Sequence, residues 1–327
     1  MTNTNTFLNP KLFDNDIKRK SPRDGFGESL ILAAEKNDRI IVVTADLARS
    51  TKVEGFEEKF PGRFIQVGVA EQNLVTVASG LAAAGKIPVA TSYAMFSPGR
   101  NWEQIRTTIC LNDMPVKIIG SHAGLTVGPD GATHQALEDI ALMRVLPNMV
   151  VLSPCDAIEA KKATLAIMEL DKPCYLRLPR CECPIITTED SPFEIGKAEI
   201  MHEGNSATII ATGEMVYYAL LAAKELEESK ISVRVINLPT IKPMDTKVIQ
   251  SAAEETGAIV TVEDHQKMGG MGSAVAEYVS QNFPVPIKII GVDDKFGQSG
   301  TPEELLQKYG LTKEEIIKAI TSVLRMK

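Results

Sequence analysis

The sequence predicts an α/β protein of two domains, a doubly wound, mostly parallel sheet followed by a smaller α/β domain. Three observations predict it. From residue 26 onward, short runs rich in Val and Ile alternate with amphipathic stretches of helix length. Strands buried on both faces read that way, and alternation with helices makes the sheet parallel. The alternation then stops at a polar stretch, TTEDSPFEIG at 187–196, which carries Pro192 and Gly196. A second alternating series follows it, and 327 residues are enough for two ordinary domains.

In the first domain, expected over 20–188, strands are predicted at 39–44, 63–69, 87–92, 116–120, 149–153 and 174–178. Helices are predicted at 71–84, 100–111, 134–145 and 156–169. The first of these puts Leu74, Val75, Ala78, Leu81 and Ala82 on one stripe, and Gly85 suits its end. In the second domain, 197–327, strands are predicted at 207–211, 233–237, 259–263 and 287–291. Helices are predicted at 215–229, 272–281, 302–308 and 313–324. Residues 1–19 are read as a loose tail, and no internal repeat is present.

Composition excludes several roles. No run of about 18 apolar residues appears, so no membrane span is expected. The first 20 residues lack the apolar core of a signal peptide, so a cytoplasmic location is expected. A net charge of −7 argues against nucleic acid or an acidic membrane as partner. It leaves room for a small anion held by a local cluster of Arg and His. Cysteines stand at 110, 155, 174, 181 and 183. Cys181 and Cys183 form the only close pair and have no His nearby, so reduced thiols are expected rather than a metal site.

Ligands of open parallel sheets bind beyond the carboxyl ends of the strands. The residues that follow the predicted strands are therefore the candidates. They are Asp46, then Glu71, then Tyr93, Phe96 and Arg100, then His122, Asp130 and His134, and lastly Arg180. Taken singly, each has a plainer explanation. Glu71 is a favourable first-turn acid, worth ~0.3–1 kcal/mol against the helix dipole. Tyr93 and Phe96 read as core, and Arg23, Arg177 and Arg180 as solvated. Their clustering on one rim outweighs the single readings. The loop 121–135 holds two of the four histidines together with Gly124, Gly128, Pro129 and Gly131. Its glycines would let the backbone approach a ligand, and long loops between apolar elements are more often functional than idle. The segment MGGMGSAV at 268–275 lacks the G-x-G-x-x-G spacing, so it reads as a tight turn opening a helix.

The segments VGVAEQN, SYAMF, GPDGATHQALEDIALMRVLPNMVVLSPCD and LPR together resemble the pyrimidine-binding domain of transketolase. VEDHQKMGGMGSAV resembles the transketolase C-terminal domain, so the likeness covers roughly 20–327. The resemblance implies thiamine diphosphate as cofactor, with Glu71 bonded to its aminopyrimidine ring. An acid sharing a proton there favours the imino form of the ring, which then takes the proton from the thiazolium carbon. It implies that Tyr93 and Phe96 enclose the pyrimidine and that Asp46 lies near the thiazolium. It also implies that His122, Asp130 and His134 contact the donor sugar, with His134 on the ketose oxygen as a second catalytic group. Arg23, Ser50 and Arg180 match positions that grip the sugar phosphate, a task that suits the arginine fork.

The other half of the family carries a GDG motif that holds magnesium and the diphosphate, and no GDG occurs here. The resemblance therefore implies a partner chain with that half and its magnesium, in an assembly of two copies of each. The implied reaction moves a two-carbon ketol unit between sugar phosphates. Ala70 and Gln72 flank the acid, however, and AEQ is also similar to deoxyxylulose phosphate synthase and to beta subunits of 2-oxo acid dehydrogenases. ATHQALEDIALMRVLPNM points back to transketolase. A non-catalytic binding subunit is the third reading, and it would not require Glu71, Asp130 and His134 together.

Overall fold

The computed structural model describes residues 7–327. The first domain runs β1 (Arg19–Lys20), α1 (Pro22–Lys36), β2 (Ile40–Thr44), α2 (Glu54–Lys59), β3 (Phe64–Gln66), α3 (Glu71–Ala83) and β4 (Ile87–Tyr93). It continues with α4 (Trp102–Gln104), β5 (Lys117–Ala123), α5 (Asp139–Arg144), β6 (Val150–Leu152), α6 (Ala157–Glu169), β7 (Cys174–Pro179) and β8 (Cys183–Pro184). The second domain begins β9 (Glu199–His202), β10 (Ala207–Ala211), α7 (Met215–Glu228), β11 (Val233–Asn237) and β12 (Thr240–Lys242). It ends α8 (Thr246–Thr256), β13 (Ile259–Gln266), α9 (Met271–Asn282), β14 (Ile287–Val292), α10 (Pro302–Lys308) and α11 (Lys313–Leu324).

The larger sheet has the order β12-β6-β7-β5-β4-β2-β3, and the smaller one β14-β13-β10-β11-β9. Each is parallel except at one edge, where β12 and β9 run antiparallel to β6 and β11. Every residue of β2 and β5 is buried, as strands covered by helices on both faces require. The edge strand β12 belongs by sequence to the second domain but completes the sheet of the first. Beside it, Ile140, Met143 and Val151 share one apolar cluster with Ile236, Leu238, Ile241 and Val275. The two domains are thus joined by core.

Several elements correct the sequence reading. Residues 1–6 of the expected tail lie outside the described residues, but 7–19 are held down. Leu12 is buried, the Asn9 amide donates to the Ile186 carbonyl, and β1 pairs with β8. The helix expected at 134–145 shortens to α5, because 134–136 are bound back to the preceding loop: the amides of His134 and Gln135 donate to the Gly131 carbonyl. The helix expected at 100–111 is present as α4 followed by a π-helical stretch, Ile105–Cys110. Helix α1 was not predicted from the sequence, and it holds Gly25 and Gly27, each of which costs a helix interior about 1 kcal/mol against Ala. Gly25 is needed for contact: a Cβ there would lie 2.0 Å from the Ala157 carbonyl oxygen of α6.

Arg177, expected to be solvated, is instead fully buried between the domains. Its Nε donates to Asp139 Oδ2 at 2.9 Å, and its Nη2 donates to the Asp264 carbonyl at 2.6 Å. Tyr175 donates its hydroxyl to the same Asp139 oxygen at 2.8 Å. Removing one partner of a buried ion pair strands the other charge, at a cost of about 3–5 kcal/mol. Arg177→Met is therefore expected to destabilise the fold by that amount in denaturant titration. A loss below about 1 kcal/mol, the level of an exposed pair, would show that Asp139 finds other compensation.

Candidate active site

The candidate residues gather at the carboxyl ends of five adjacent strands, β7, β5, β4, β2 and β3. Glu71 opens α3 and is buried. Its Oε2 accepts from Arg100 Nη1 at 3.1 Å, while its Oε1 is buried with no hydrogen-bond partner among the described residues. A buried carboxylate oxygen without a donor is costly, so it marks a place where a ligand donor fits. Asn101 secures the base of the helix by donating Nδ2 to the Glu71 carbonyl at 2.8 Å.

Aromatic rings line the approach. Tyr93 and Phe96 lie 6.2 Å apart at an interplanar angle of 24°. His122 stacks on Tyr93 at 4.0 Å, and His134 stands edge-on to Phe96 at 5.3 Å. The Nδ1 of His122 is 2.8 Å from Ser121 Oγ, and its Nε2 faces Arg23 Nη1 at 3.5 Å. Burial, followed by the charges of Arg23 and Arg180, pushes this imidazole down to about 3, so it is neutral at pH 7. With an arginine facing Nε2, the proton belongs on Nδ1, toward the serine.

Two arginines border the rings. Arg23 donates Nη1 to the Ser50 carbonyl at 2.9 Å and Nη2 to the Arg180 carbonyl at 2.7 Å. Arg180 donates Nη1 to the Val127 carbonyl at 2.6 Å and pairs with Asp130 at 3.5 Å. Ser50 thus enters the cluster through its carbonyl rather than its hydroxyl. Arg23, Ser50, His122, Asp130, Arg180, Tyr93, Phe96, His134 and Glu71 form one connected group. Asp46 stands apart. Its amide donates to Gln66 Oε1 at 2.6 Å, and its exposed carboxylate makes no hydrogen bond or ion pair among the described residues. Sequence reasoning placed Arg100 on the rim but missed its pairing with Glu71, and it missed Asn101. The signal was the SPGRN turn directly after the aromatic pair.

The loop 121–135 rests on the second domain. The Leu125 amide donates to both oxygens of Asp264, at 3.1 and 2.9 Å, and Gln135 Nε2 donates to the Gln298 carbonyl at 2.9 Å. Gly124, at φ +81°, would carry a Cβ 2.0 Å from Asp264 Oδ2. Gly128 and Gly131 lie against Gly300 and Ser299. The glycines expected to approach a ligand instead admit the second domain. The turn at MGGMGSAV opens α9, as its sequence predicts, and its first amides are already taken: those of Met271 and Gly272 donate to the buried Glu263 carboxylate at 2.6 and 2.8 Å.

Among the described residues, no group of three or more His, Cys, Asp and Glu side chains could hold a metal ion. No helix among them is long and apolar enough to cross a membrane. The architecture and the rim define a two-domain α/β protein with an acid, stacked rings and cationic groups at the strand ends.

Comparison with known proteins agrees. The transketolase pyrimidine binding domain family matches residues 18–185, and the transketolase C-terminal domain family matches 196–316. A Methanocaldococcus jannaschii protein, provisionally named a transketolase C-terminal section, is 46% identical over 92% of this chain and 95% of its own. The 6-deoxy-6-sulfo-D-fructose transketolase subunit SqwH of Clostridium sp. is 41% identical over 93% of this chain and 95% of its own. A solved structure described as a split gene transketolase, inactive beta4 tetramer, superposes with a TM-score of 0.88 at 44% identity. It covers 94% of this chain and 99% of that one. The chain belongs to the transketolase family, whose members are transferases that use thiamine diphosphate.

Asp264 provides a test of how the loop is held. Burial, and next the negative charge of Glu214, pushes its carboxyl up to about 8. The unfolded value is near 4, so the folded state keeps a proton that the unfolded chain has released. The associated stability is complete below about pH 4 and is lost as pH rises through about 8, at about 1 kcal/mol per pH unit. Asn at this position still accepts from Leu125 but does not titrate. Urea unfolding of Asp264→Asn between pH 6 and 8 is expected to fall less steeply with pH than that of the parent. Parallel slopes would place the proton elsewhere.

Proposed function

We propose that this chain is one subunit of a split transketolase, moving a two-carbon ketol unit between sugar phosphates. The observation that carries the reading is Glu71 Oε1, a buried acceptor without a donor, set behind the rings of Tyr93 and Phe96. A flat heteroaromatic ring with a protonatable nitrogen fits both features, and stacking on such rings contributes ~0.5–1.5 kcal/mol per pair. When bound, thiamine diphosphate supplies the nucleophilic carbon of the reaction. Glu71 holds or shares the proton of the pyrimidine, Tyr93 and Phe96 fix the plane of the ring, and Asp46 sits on the outer rim for the cationic half.

On the sugar side, His122, held neutral, and the ring of His134 serve as hydrogen-bond partners for hydroxyl and ketose oxygens, and Asp130 for a hydroxyl. Arg180 and Arg23, the latter oriented by the Ser50 carbonyl, supply positive charge for a phosphate. The diphosphate and its magnesium belong to a second chain of similar size, with two copies of each in the assembly and a cytoplasmic location. Two comparisons support a split arrangement: one relative is named as a subunit, and the solved beta4 tetramer is titled inactive.

The test is reconstitution. The chain, its partner, thiamine diphosphate and magnesium are expected to transfer glycolaldehyde from a ketose phosphate. Glu71→Gln is expected to lower kcat by about 10²–10⁴-fold, the range for a positioned acid–base group. Transfer from no ketose tested, or full activity of Glu71→Ala, would refute the reading. Consumption of pyruvate in its place would move the protein to the decarboxylating relatives.

A further inference from the structure

Arg100 occupies one oxygen of Glu71 and one face of Phe96. Its Nη1 binds Glu71 Oε2 at 3.1 Å, and its guanidinium lies 4.3 Å over the centre of the Phe96 ring. The Arg100 side chain is 53% exposed, whereas that of Glu71 is 2% exposed. The other neighbours of Phe96 are Tyr93, nearly parallel at 6.2 Å, and His134, edge-on at 5.3 Å. Arg100 is the one flat cation laid on that ring.

A buried carboxylate left without a counter-charge is strongly unfavourable. Before any ligand arrives, some group must balance Glu71. Arginine suits the task because it is planar, stacks on an aromatic face, and keeps the rest of its side chain in water. The backbone beneath it is fixed independently. The Arg100 amide donates to the Phe96 carbonyl at 2.9 Å, and Asn101 Nδ2 donates to the Glu71 carbonyl at 2.8 Å. Rotation of one half-exposed side chain therefore uncovers the acid and the ring together, with no change in the loop.

We infer that Arg100 is a removable stand-in for the aminopyrimidine: it neutralises Glu71 and covers Phe96 in the unloaded subunit, and thiamine diphosphate displaces it into solvent. The inference rests on the roles proposed above for Glu71 and Phe96. Cofactor binding then competes with an internal side chain. The apparent dissociation constant exceeds the intrinsic one by the reciprocal of the fraction of subunits with Arg100 swung out.

Calorimetric titration of the two-chain complex with thiamine diphosphate, at fixed magnesium, tests this without reference to turnover. Arg100→Met and Arg100→Gln are both expected to bind the cofactor about three- to tenfold more tightly than the parent. Arg100→Lys keeps the charge but not the planar stacking, so its affinity is expected to fall between those of the parent and Arg100→Met. Unchanged affinity in both Arg100→Met and Arg100→Gln overturns the inference. Weaker affinity in both also overturns it, because the guanidinium would then be supporting the bound ring. Glu71→Ala in the same titration keeps the two readings apart. If Glu71→Ala binds far more weakly than the parent while the Arg100 variants match the parent, the site assignment stands and only the stand-in falls. A parent complex that binds no thiamine diphosphate removes both.

Discussion

Arg177 lies where the two sheets meet, balanced by Asp139 at 2.9 Å and donating across the boundary to the Asp264 carbonyl at 2.6 Å. The Asp264 side chain, in turn, receives the amide of Leu125 on both oxygens. One chain of contacts thus runs from a buried guanidinium of the first sheet through Asp264 of the second to the loop that carries His122, Asp130 and His134. A buried charge tolerates little displacement, because losing a partner leaves it uncompensated in a low-dielectric interior. The loop is consequently placed by the domain boundary rather than by its own turns. The antiparallel strand β12 reinforces the boundary by completing the sheet of the other domain.

The electrostatics of the rim follow from how its arginines are partnered. Among the described residues, Arg23 is hydrogen-bonded to neutral groups only, the oxygens of Ser21, Ser50 and Arg180 and the ring of His122. The adjacent carboxylate, Asp24, is paired with Lys52 at 2.9 Å. Burial holds the Arg23 guanidinium below its ordinary value, and Arg180 adds repulsion. A mostly desolvated cation beside a second cation is relieved by an anion bound between them. The overall charge of −7 says nothing of this, because the positive potential is local. Burial, with the same two charges behind it, keeps His122 neutral, so that it acts as a hydrogen-bonding ring and adds no charge.

Much of the fold was legible because it obeys local periods. Strands β10 and β11 and helices α10 and α11 fall on the predicted residues, since the strands are short runs buried throughout and the helices carry a buried stripe of their own. What escaped was set by contacts distant in sequence. Helix α8 buries only Ile249, Ala252, Ala253 and Thr256, a stripe with a single large apolar residue. Its Asp245 cap and Gly257 end were the available signals. Strand β12 has three residues, and its partner β6 lies far back in the chain. At the site, the rule that ligands meet strand ends gathered the candidates correctly on one rim. It could not rank them. Asp46 and Glu71 look alike as acids after strands, and only packing buries one and leaves the other in water. Arg177 and Arg180 are three apart on one segment, yet one is a buried tie between domains and the other faces the cleft.

The second domain offers a competing place for an anion, the glycine-rich turn before α9, and the structure closes it. Helix N-termini attract negative charge through their free amides and dipole. Here Glu263 supplies that charge from within, bonded to the amides of Met271 and Gly272. A Cβ on Gly270 would lie 2.2 Å from the Glu263 carboxylate, so the glycine serves an internal acid rather than an incoming phosphate. Burial pushes that carboxyl up to about 7, and the two amide donors pull it back down. An added anion at this turn would meet a carboxylate already seated in its place. On the rim of the first domain, by contrast, Arg23 has no carboxylate partner among the described residues. The second domain contributes to that rim by holding the loop beneath it, and the positive charge of the rim comes from the first.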